Sequence, residues 1–160
     1  MKKKSLLLIL TLFVLCALTA CGSNPKNFTS GDLTVTLTSD FTQSKMNEFD
    51  LYLTSDLVSF TAKEESVNDL EHAGFEITSL KGYALEIAAL NKQNPDTLVD
   101  RGSYLYFIDT KENQGAKYTY IHCMFKGSAS YWICEFVCKS SDYDKLKKDI
   151  FAWADSITIK

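Results

Sequence analysis

Few side chains in this sequence are of the types that carry acid–base, nucleophilic or metal chemistry. The 160 residues include only two histidines, His72 and His122, together with five cysteines. His72 belongs to a polar segment that is predicted to form a surface helix, where a solvated side chain is the simplest interpretation. His122 lies on a predicted strand. A packed, hydrogen-bonded histidine is favoured there, and a ligand-binding or acid–base role is the alternative.

Three cysteines, Cys123, Cys134 and Cys138, lie near one another in the C-terminal part of the chain. A metal site made by Cys134 and Cys138 is not favoured, because residues four apart on one face of a strand are separated by ~13 Å. We therefore predict no metal site, and we expect these thiols to be buried as small apolar groups.

A disulfide between Cys123 and Cys134 is a further alternative. Residues 118–126 and 131–139 are predicted to form a hairpin with a four-residue loop, and this register pairs Cys123 with Cys134. The same register places apolar side chains of both strands on one face, which supports the pairing. Oxidising conditions outside the cytosol would favour the bond.

The first twenty residues have the organisation of an export signal. Lys2, Lys3 and Lys4 precede an apolar run over residues 6–18, which is shorter than the roughly 20 residues that span a membrane. The run ends in Leu18-Thr19-Ala20-Cys21, and this ending resembles the lipobox of the bacterial lipoprotein signal-peptide family. The resemblance implies cleavage between Ala20 and Cys21 and attachment of a diacylglyceryl group to Cys21.

These features predict a lipidated protein on the outer face of the cell membrane. Residues 1–20 would be the signal peptide, residues 21–27 a lipidated tether, and residues 28–160 a single folded domain. Two acyl chains bury enough methylene groups for stable anchoring. An ordinary secretory signal and an uncleaved membrane anchor are the alternatives.

The charge balance argues against a nucleic-acid partner. Removal of residues 1–20 takes away three lysines and no acid, which leaves 14 basic and 20 acidic residues and a formal charge of −6. A protein that binds nucleic acid needs a basic patch or stripe, and the sequence contains none.

The N-terminal half of the predicted domain alternates short strands and two helices. Alternation of apolar and polar residues predicts strands over residues 33–37, 41–46, 49–53 and 57–63. A polar helix is predicted over 66–73, and an amphipathic helix begins near Ser79. The predicted apolar face of the second helix consists of Leu80, Tyr83, Ile87 and Leu90.

The C-terminal half is predicted to contain a three-strand antiparallel meander and a long helix. The meander comprises residues 103–110, 118–126 and 131–139, with a polar loop over 111–116. Ser141 is predicted to cap the helix, and residues 156–159 form a closing strand. The predicted buried stripe of the helix is Tyr143, Leu146, Ile150 and Trp153.

One face of the meander is predicted to be strongly aromatic. Such a face is unsuited to plain solvent, so we expect a helix or a binding partner to cover part of it. This candidate binding face comprises Tyr104, Tyr106, Tyr118, Tyr120, His122 and Tyr131.

The order of these elements resembles the PsbP-like family. The resemblance rests on residues 31–37, on the strand Tyr131-Trp132-Ile133-Cys134-Glu135-Phe136 and on residues 151–157. It implies an α+β fold over residues 28–160, in which an antiparallel β-sheet is flanked by helices as a PsbP-like α/β/α sandwich. Members include a photosystem II extrinsic subunit, a Ran-binding nuclear-transport factor and bacterial lipoproteins, so the resemblance implies binding or assembly but no particular partner.

Three functional hypotheses remain open. The first is a non-enzymatic binding or assembly factor with a protein or envelope partner. The second is a hydrolase-like enzyme whose site is assembled from distant residues around His122, although no nucleophile motif or phosphate-binding loop is present and no cofactor is predicted. The third, a solute-binding lipoprotein, is disfavoured because such proteins are usually two-lobed and this chain has room for one domain.

Overall fold

A computed structural model describes residues 24–160; the predicted signal peptide, its cleavage site and Cys21 lie outside the described residues. The strands in this part of the chain are β1 (Pro25–Ser30), β2 (Leu33–Thr38), β3 (Thr42–Ser44), β4 (Leu51–Thr54), β5 (Val58–Ser66), β6 (Val99–Asp100), β7 (Leu105–Asn113), β8 (Ala116–Lys126), β9 (Ser130–Lys139) and β10 (Thr158–Ile159). The α-helices are α1 (Val67–His72), α2 (Leu80–Leu90) and α3 (Tyr143–Asp155), and Pro95–Thr97 forms a 3-10 turn. Within residues 24–160, no helix is long and apolar enough to cross a membrane.

Two antiparallel sheets organise the domain. The large sheet has seven strands in the order β3-β4-β5-β9-β8-β7-β6, and the small sheet has the order β1-β2-β10. The predicted meander is therefore present as β7-β8-β9 in the large sheet. The hairpin register is also confirmed, since Lys126 lies opposite Tyr131 and Cys123 lies opposite Cys134.

The large sheet lies between two layers. On one side, which we call the α2 side, helix α2 buries Tyr83, Ala84, Ile87 and Ala88 against Phe107, Met124 and Tyr131 of the sheet. On the other, the α3 side, helix α3 and the small sheet close a larger core that contains Ile150, Ala154, Leu33, Val35, Phe125, Trp132 and Phe136. The predicted α+β fold, an antiparallel sheet flanked by helices, is confirmed.

The connection between β7 and β8 differs from the prediction. A polar loop was expected over residues 111–116, but both strands continue and only Gln114 and Gly115 form the turn. Both residues have positive φ angles, 51° and 78°. This is the backbone that a two-residue turn needs in order to follow the right-handed twist of the paired strands.

The helices begin close to the predicted positions, but their buried faces differ in detail. Ser79 caps α2 by accepting a hydrogen bond from the Gly82 N–H. Leu90, predicted to be buried, is 67% exposed, because α2 packs through its alanines as well as Tyr83 and Ile87. Ser141 does not cap α3: Asp142 occupies the capping position and makes no side-chain cap bond.

The folded region also begins earlier than expected. Strand β1 starts at Pro25, which lies opposite Thr38 of β2, whereas residues up to 27 were assigned to the tether. Residues 25–27 have exposed side chains and take part through their backbone. A polar sequence can join an edge strand in this way, because the ladder of backbone hydrogen bonds does not require apolar side chains.

Candidate binding surface

The six residues of the predicted aromatic face do not share one side of the sheet. Tyr106 lies opposite Cys123, so Tyr104 and Tyr106 point to the α3 side, whereas Tyr118 and Tyr120 point to the α2 side. The prediction of a single face is therefore wrong for Tyr104 and Tyr106. The physical reason is the two-residue turn: an even number of turn residues places even-numbered side chains of β7 on the same side as odd-numbered side chains of β8.

Tyr104 and Tyr106 join helix α3 to the sheet. The buried Tyr104 hydroxyl donates a hydrogen bond of 2.8 Å to Asp155 Oδ1, and its ring stacks on Phe125 at 4.9 Å. The Tyr106 ring meets the Phe151 ring at 4.9 Å. Burial, and then the bond to Asp155, raise the pKa of Tyr104 far above its ordinary value. These contacts fit a structural role for both tyrosines.

Tyr131 lies on the α2 side but is covered by helix α2. Its ring stacks on Tyr83 with 4.7 Å between centroids. The Tyr83 hydroxyl donates a hydrogen bond of 2.7 Å to Glu65 Oε2, and burial followed by this bond raises the pKa of Tyr83 well above its ordinary value. A helix or a partner was predicted to cover part of the aromatic face, and helix α2 covers Tyr131.

His122 is also buried, with only 1% of its surface exposed. Its ring stacks on Phe107 at 4.4 Å, and Nδ1 lies 2.6 Å from Oε1 of Glu135 on the neighbouring strand. That oxygen lies away from the direction of a ring N–H, and Nε2 has no hydrogen-bond partner within residues 24–160. The imidazole therefore has one charged neighbour and no direct access to solvent.

Tyr118 and Tyr120 are the members of the predicted face that remain half-buried on the α2 side. The register places Val137 of β9 directly opposite Tyr120. In the next row of the same side, Glu135 of β9 lies opposite Thr61 of β5, and Thr61 in turn lies opposite Tyr52 of β4. Within residues 24–160, Tyr118, Tyr120 and Val137 do not belong to the cluster that packs beneath α2. We call this region of the sheet the open face; it consists of Tyr52, Ser59, Thr61, Tyr118, Tyr120, Glu135 and Val137.

Tyr52 and Val137 were not among the residues predicted for this surface. Both alternate with core residues along their strands, so the alternation shows only that they face away from the α3-side core. Val137 lies beside Tyr120 through the register of the β8–β9 hairpin, whereas the position of Tyr52 depends on the pairing of β5 with β9, which lie far apart in sequence.

A polar network fixes one edge of the open face. The Lys111 ammonium lies 5.0 Å from the centre of the Tyr120 ring, 3.3 Å from Asp109 Oδ2 and 3.0 Å from Asn91 Oδ1 at the end of α2. These contacts hold Tyr120 against the sheet, which lowers the side-chain entropy that binding would cost.

The open face ends in a small cavity next to Tyr118. The cavity has a volume of about 220 Å³ and is lined by Ser55, Asp56, Leu57, Val58, Ser59, Tyr118, Val137, Cys138, Lys139 and Asp142. Leu57, in the turn between β4 and β5, is 58% exposed. The cavity continues the aromatic surface with an exposed apolar side chain and charged groups of both signs.

The remaining candidate residues are placed as follows. His72 lies on the exposed surface of α1, where Nδ1 is 2.7 Å from the carbonyl oxygen of Asn68. Cys123, Cys134 and Cys138 are buried free thiols, and burial raises the pKa of each. Among residues 24–160, no group of three or more histidine, cysteine or acidic side chains is placed to hold a metal ion.

The described residues form an α+β fold in which a seven-stranded antiparallel sheet lies between helix α2 on one side and helix α3 with the small sheet on the other. No family model matches this sequence, and no curated protein does. Solved structures that are similar to it include the following three. A protein from Bacteroides thetaiotaomicron is 14% identical with a TM-score of 0.59, covering 84% of this chain and 48% of its own, so this chain spans about half of that protein's length.

The second structure is the Ran-binding protein Mog1p of Saccharomyces cerevisiae. It is 6% identical with a TM-score of 0.57, covering 86% of this chain and 96% of its own. Cyanobacterial PsbP from Synechocystis is 8% identical with a TM-score of 0.48, covering 91% of this chain and 97% of its own. At these identities the likeness shows the fold alone.

Proposed function

We propose that this protein is a lipid-anchored extracytoplasmic binding or assembly factor that recognises a protein or envelope partner through the open face. The observation that carries the proposal is the half-buried aromatic surface formed by Tyr52, Tyr118 and Tyr120 beside Val137. Tyrosine is enriched in protein interfaces, because its ring offers apolar contact area while its hydroxyl finds a hydrogen-bond partner. A Ran-binding protein has the same fold, which is consistent with a binding role.

The membrane anchor in this proposal is supported by the lipobox-like ending at Cys21. Only three residues lie between Cys21 and Pro25, where β1 begins, so the two positions are four Cα–Cα steps apart. A fully extended chain spans about 3.5 Å per residue, so the lipidated residue would lie within about 14 Å of the folded domain. The anchored domain would therefore sit directly on the membrane surface.

Metabolic labelling tests the anchor. The full chain is expressed in cells supplied with labelled palmitate, alongside a Cys21→Ser variant and a Cys138→Ser variant as the matched control. We expect label and membrane association in the wild-type and Cys138→Ser proteins, and neither in Cys21→Ser. Unlabelled wild-type protein that retains Met1 and stays in the cytosol would refute the anchor.

Photo-crosslinking in intact cells tests the binding surface. A benzoylphenylalanine residue replaces Tyr118 or Tyr120, and the control position is Ile108, which is exposed on the other side of β7. We expect a discrete crosslinked species from the two tyrosine positions and none from Ile108. Loss of that species in a folded Tyr52→Ala variant would confirm the surface; equal crosslinking from Ile108 would contradict it.

A second candidate function is an enzyme built around His122. The contact between its imidazole and Glu135 favours this alternative, because a carboxylate can orient a histidine base. Burial of His122 weighs against it, since the ring is closed off from a substrate. The same folded protein would be assayed against ester, peptide and phosphate substrates; turnover that disappears in His122→Gln would establish the enzyme.

A further inference from the structure

We infer that Cys123 and Cys134 form a disulfide in the exported protein, and that the bond forms before the sheet closes against α3. The inference rests on the proposed export, since thiols persist in the cytosol and oxidise outside it. The described structure has both thiols free. The position of the pair supports the bond, and its burial determines when the bond can form.

The position of the pair allows one disulfide and excludes the others. Cys123 lies directly opposite Cys134 in the β8–β9 ladder. Directly opposed residues have Cα atoms about 4.5 to 5.5 Å apart, within the range of about 4.4 to 6.8 Å that disulfides adopt.

Cys138 is out of reach of both partners. It lies opposite Thr119, four residues from Cys134 along β9 and, across the ladder, four residues from Cys123 along β8. Four residues of strand span ~13 Å, about twice the separation that a disulfide tolerates. Cys138 is therefore a natural internal control that should keep its thiol.

The burial of the pair determines when the bond can form. Neither Cys123 nor Cys134 has any exposed surface, and both belong to the core that helix α3 closes. The thiolate is the attacking species in disulfide exchange, and burial raises the pKa of both thiols. An oxidant therefore has neither access to these sulfurs in the folded domain nor a thiolate to react with.

The chemistry needs one disulfide-bearing oxidant, such as a thiol–disulfide oxidoreductase or oxidised glutathione. One cysteine thiolate attacks the oxidant's disulfide, which forms a mixed disulfide and releases one thiol of the oxidant. The second cysteine thiolate then attacks the sulfur of the first cysteine in the mixed disulfide and releases the second thiol of the oxidant. The two protons lost by the cysteines appear on the reduced oxidant, and the protein is oxidised by two electrons.

This order of events has a consequence for the mature protein. A chain that folds before it meets an oxidant keeps both thiols, and a chain that meets the oxidant first keeps the bond. The redox state of Cys123 and Cys134 would therefore depend on whether an oxidant was present when the chain folded, and it would not respond to later changes outside the cell.

The first arm of the test examines the exported protein. The full chain is recovered from the extracytoplasmic membrane fraction, denatured, alkylated without reductant and mapped by mass spectrometry. We expect a peptide pair linked through Cys123 and Cys134, about 2 Da lighter than the two free peptides, with alkylated Cys138. Alkylation of all three cysteines in protein confirmed to be exported would overturn the inference.

The second arm does not depend on export, so failure of the anchor and failure of the disulfide can be told apart. Purified reduced protein is exposed to a buffer of oxidised glutathione either folded or unfolded in urea and then refolded. We expect the bond to form roughly a hundredfold more slowly in the folded sample, because the thiols are buried. Equal rates, or a bond to Cys138, would overturn the inference; a Cys138→Ala variant should behave like wild type.

Discussion

Substitution of Tyr104 distinguishes the face predicted by sequence pattern from the face that the structure assigns. The Tyr104 ring is fully buried on the α3 side, stacks on Phe125 and bonds to Asp155. A residue in this environment stabilises the fold. Tyr118, on the open face, provides the matched control, because it is the same residue type and only half-buried.

The expected magnitudes follow from these contacts. Tyr104→Phe removes a hydrogen bond to a carboxylate, which contributes about 1.5 to 3 kcal/mol when the partner is buried. The Asp155 side chain is 46% exposed and keeps Arg101 at 2.6 Å, so water replaces the lost donor and we expect a cost of about 1 kcal/mol. Tyr104→Ala also leaves a cavity in the core and should cost about 3 to 5 kcal/mol.

Urea unfolding at neutral pH measures these differences, with fluorescence and circular dichroism as two probes of one transition. We expect Tyr104→Ala to lower the midpoint strongly and Tyr118→Ala to lower the free energy of unfolding by less than about 1 kcal/mol. The crosslinking pattern at Tyr120 should survive in Tyr104→Phe. If Tyr104→Ala and Tyr118→Ala cost the same, the placement of Tyr104 in the core is wrong.

Three further predictions concern the α2 side and the first hairpin of the meander. Tyr83→Phe removes the bond to Glu65 and should lower the free energy of unfolding by about 1 to 2 kcal/mol in the same urea assay. The pKa values of Tyr83 and Tyr104 are raised in the folded state. Their contribution to the free energy of unfolding is therefore fully present below about pH 10, the pKa of an unfolded tyrosine. Above that pH it falls by about 1.4 kcal/mol per pH unit for each group. Alkaline unfolding curves should therefore be shallower in Tyr83→Phe, and an unchanged slope would contradict the raised pKa. Gln114→Asn should increase the free energy of unfolding by about 0.5 kcal/mol and so raise the melting temperature, since asparagine tolerates the positive φ of this turn position better.

Local signals were sufficient for much of the fold. Alternating apolar residues located the strands of the meander, and the four-residue loop together with matching apolar faces predicted the pairing of Cys123 with Cys134. Ser79 and its following amphipathic stretch located the start of α2. These predictions succeed because capping, loop length and side-chain alternation act over a few residues, which the sequence displays directly.

The candidate surface was predicted less well, and the errors have local causes. The extent of a polar strand is hard to predict, so the two-residue turn at Gln114 was taken as part of a longer loop, and Tyr104 and Tyr106 were placed on the wrong side of the sheet. Leu90 was expected in a buried stripe, although α2 rests on small side chains and leaves Leu90 outside.

By itself, the sequence determined the export-type ending at Cys21, the acidic balance of the domain and the order of strands and helices. Only the tertiary structure decided that Tyr52 shares a surface with Tyr118 and Tyr120, because β5 pairs with β9 and these strands lie far apart in the chain. It also decided that Tyr104 is buried and Leu90 exposed, since burial depends on what packs above the sheet. Long-range pairing and the cover of a sheet are collective properties of the folded chain, and no short stretch of residues contains them.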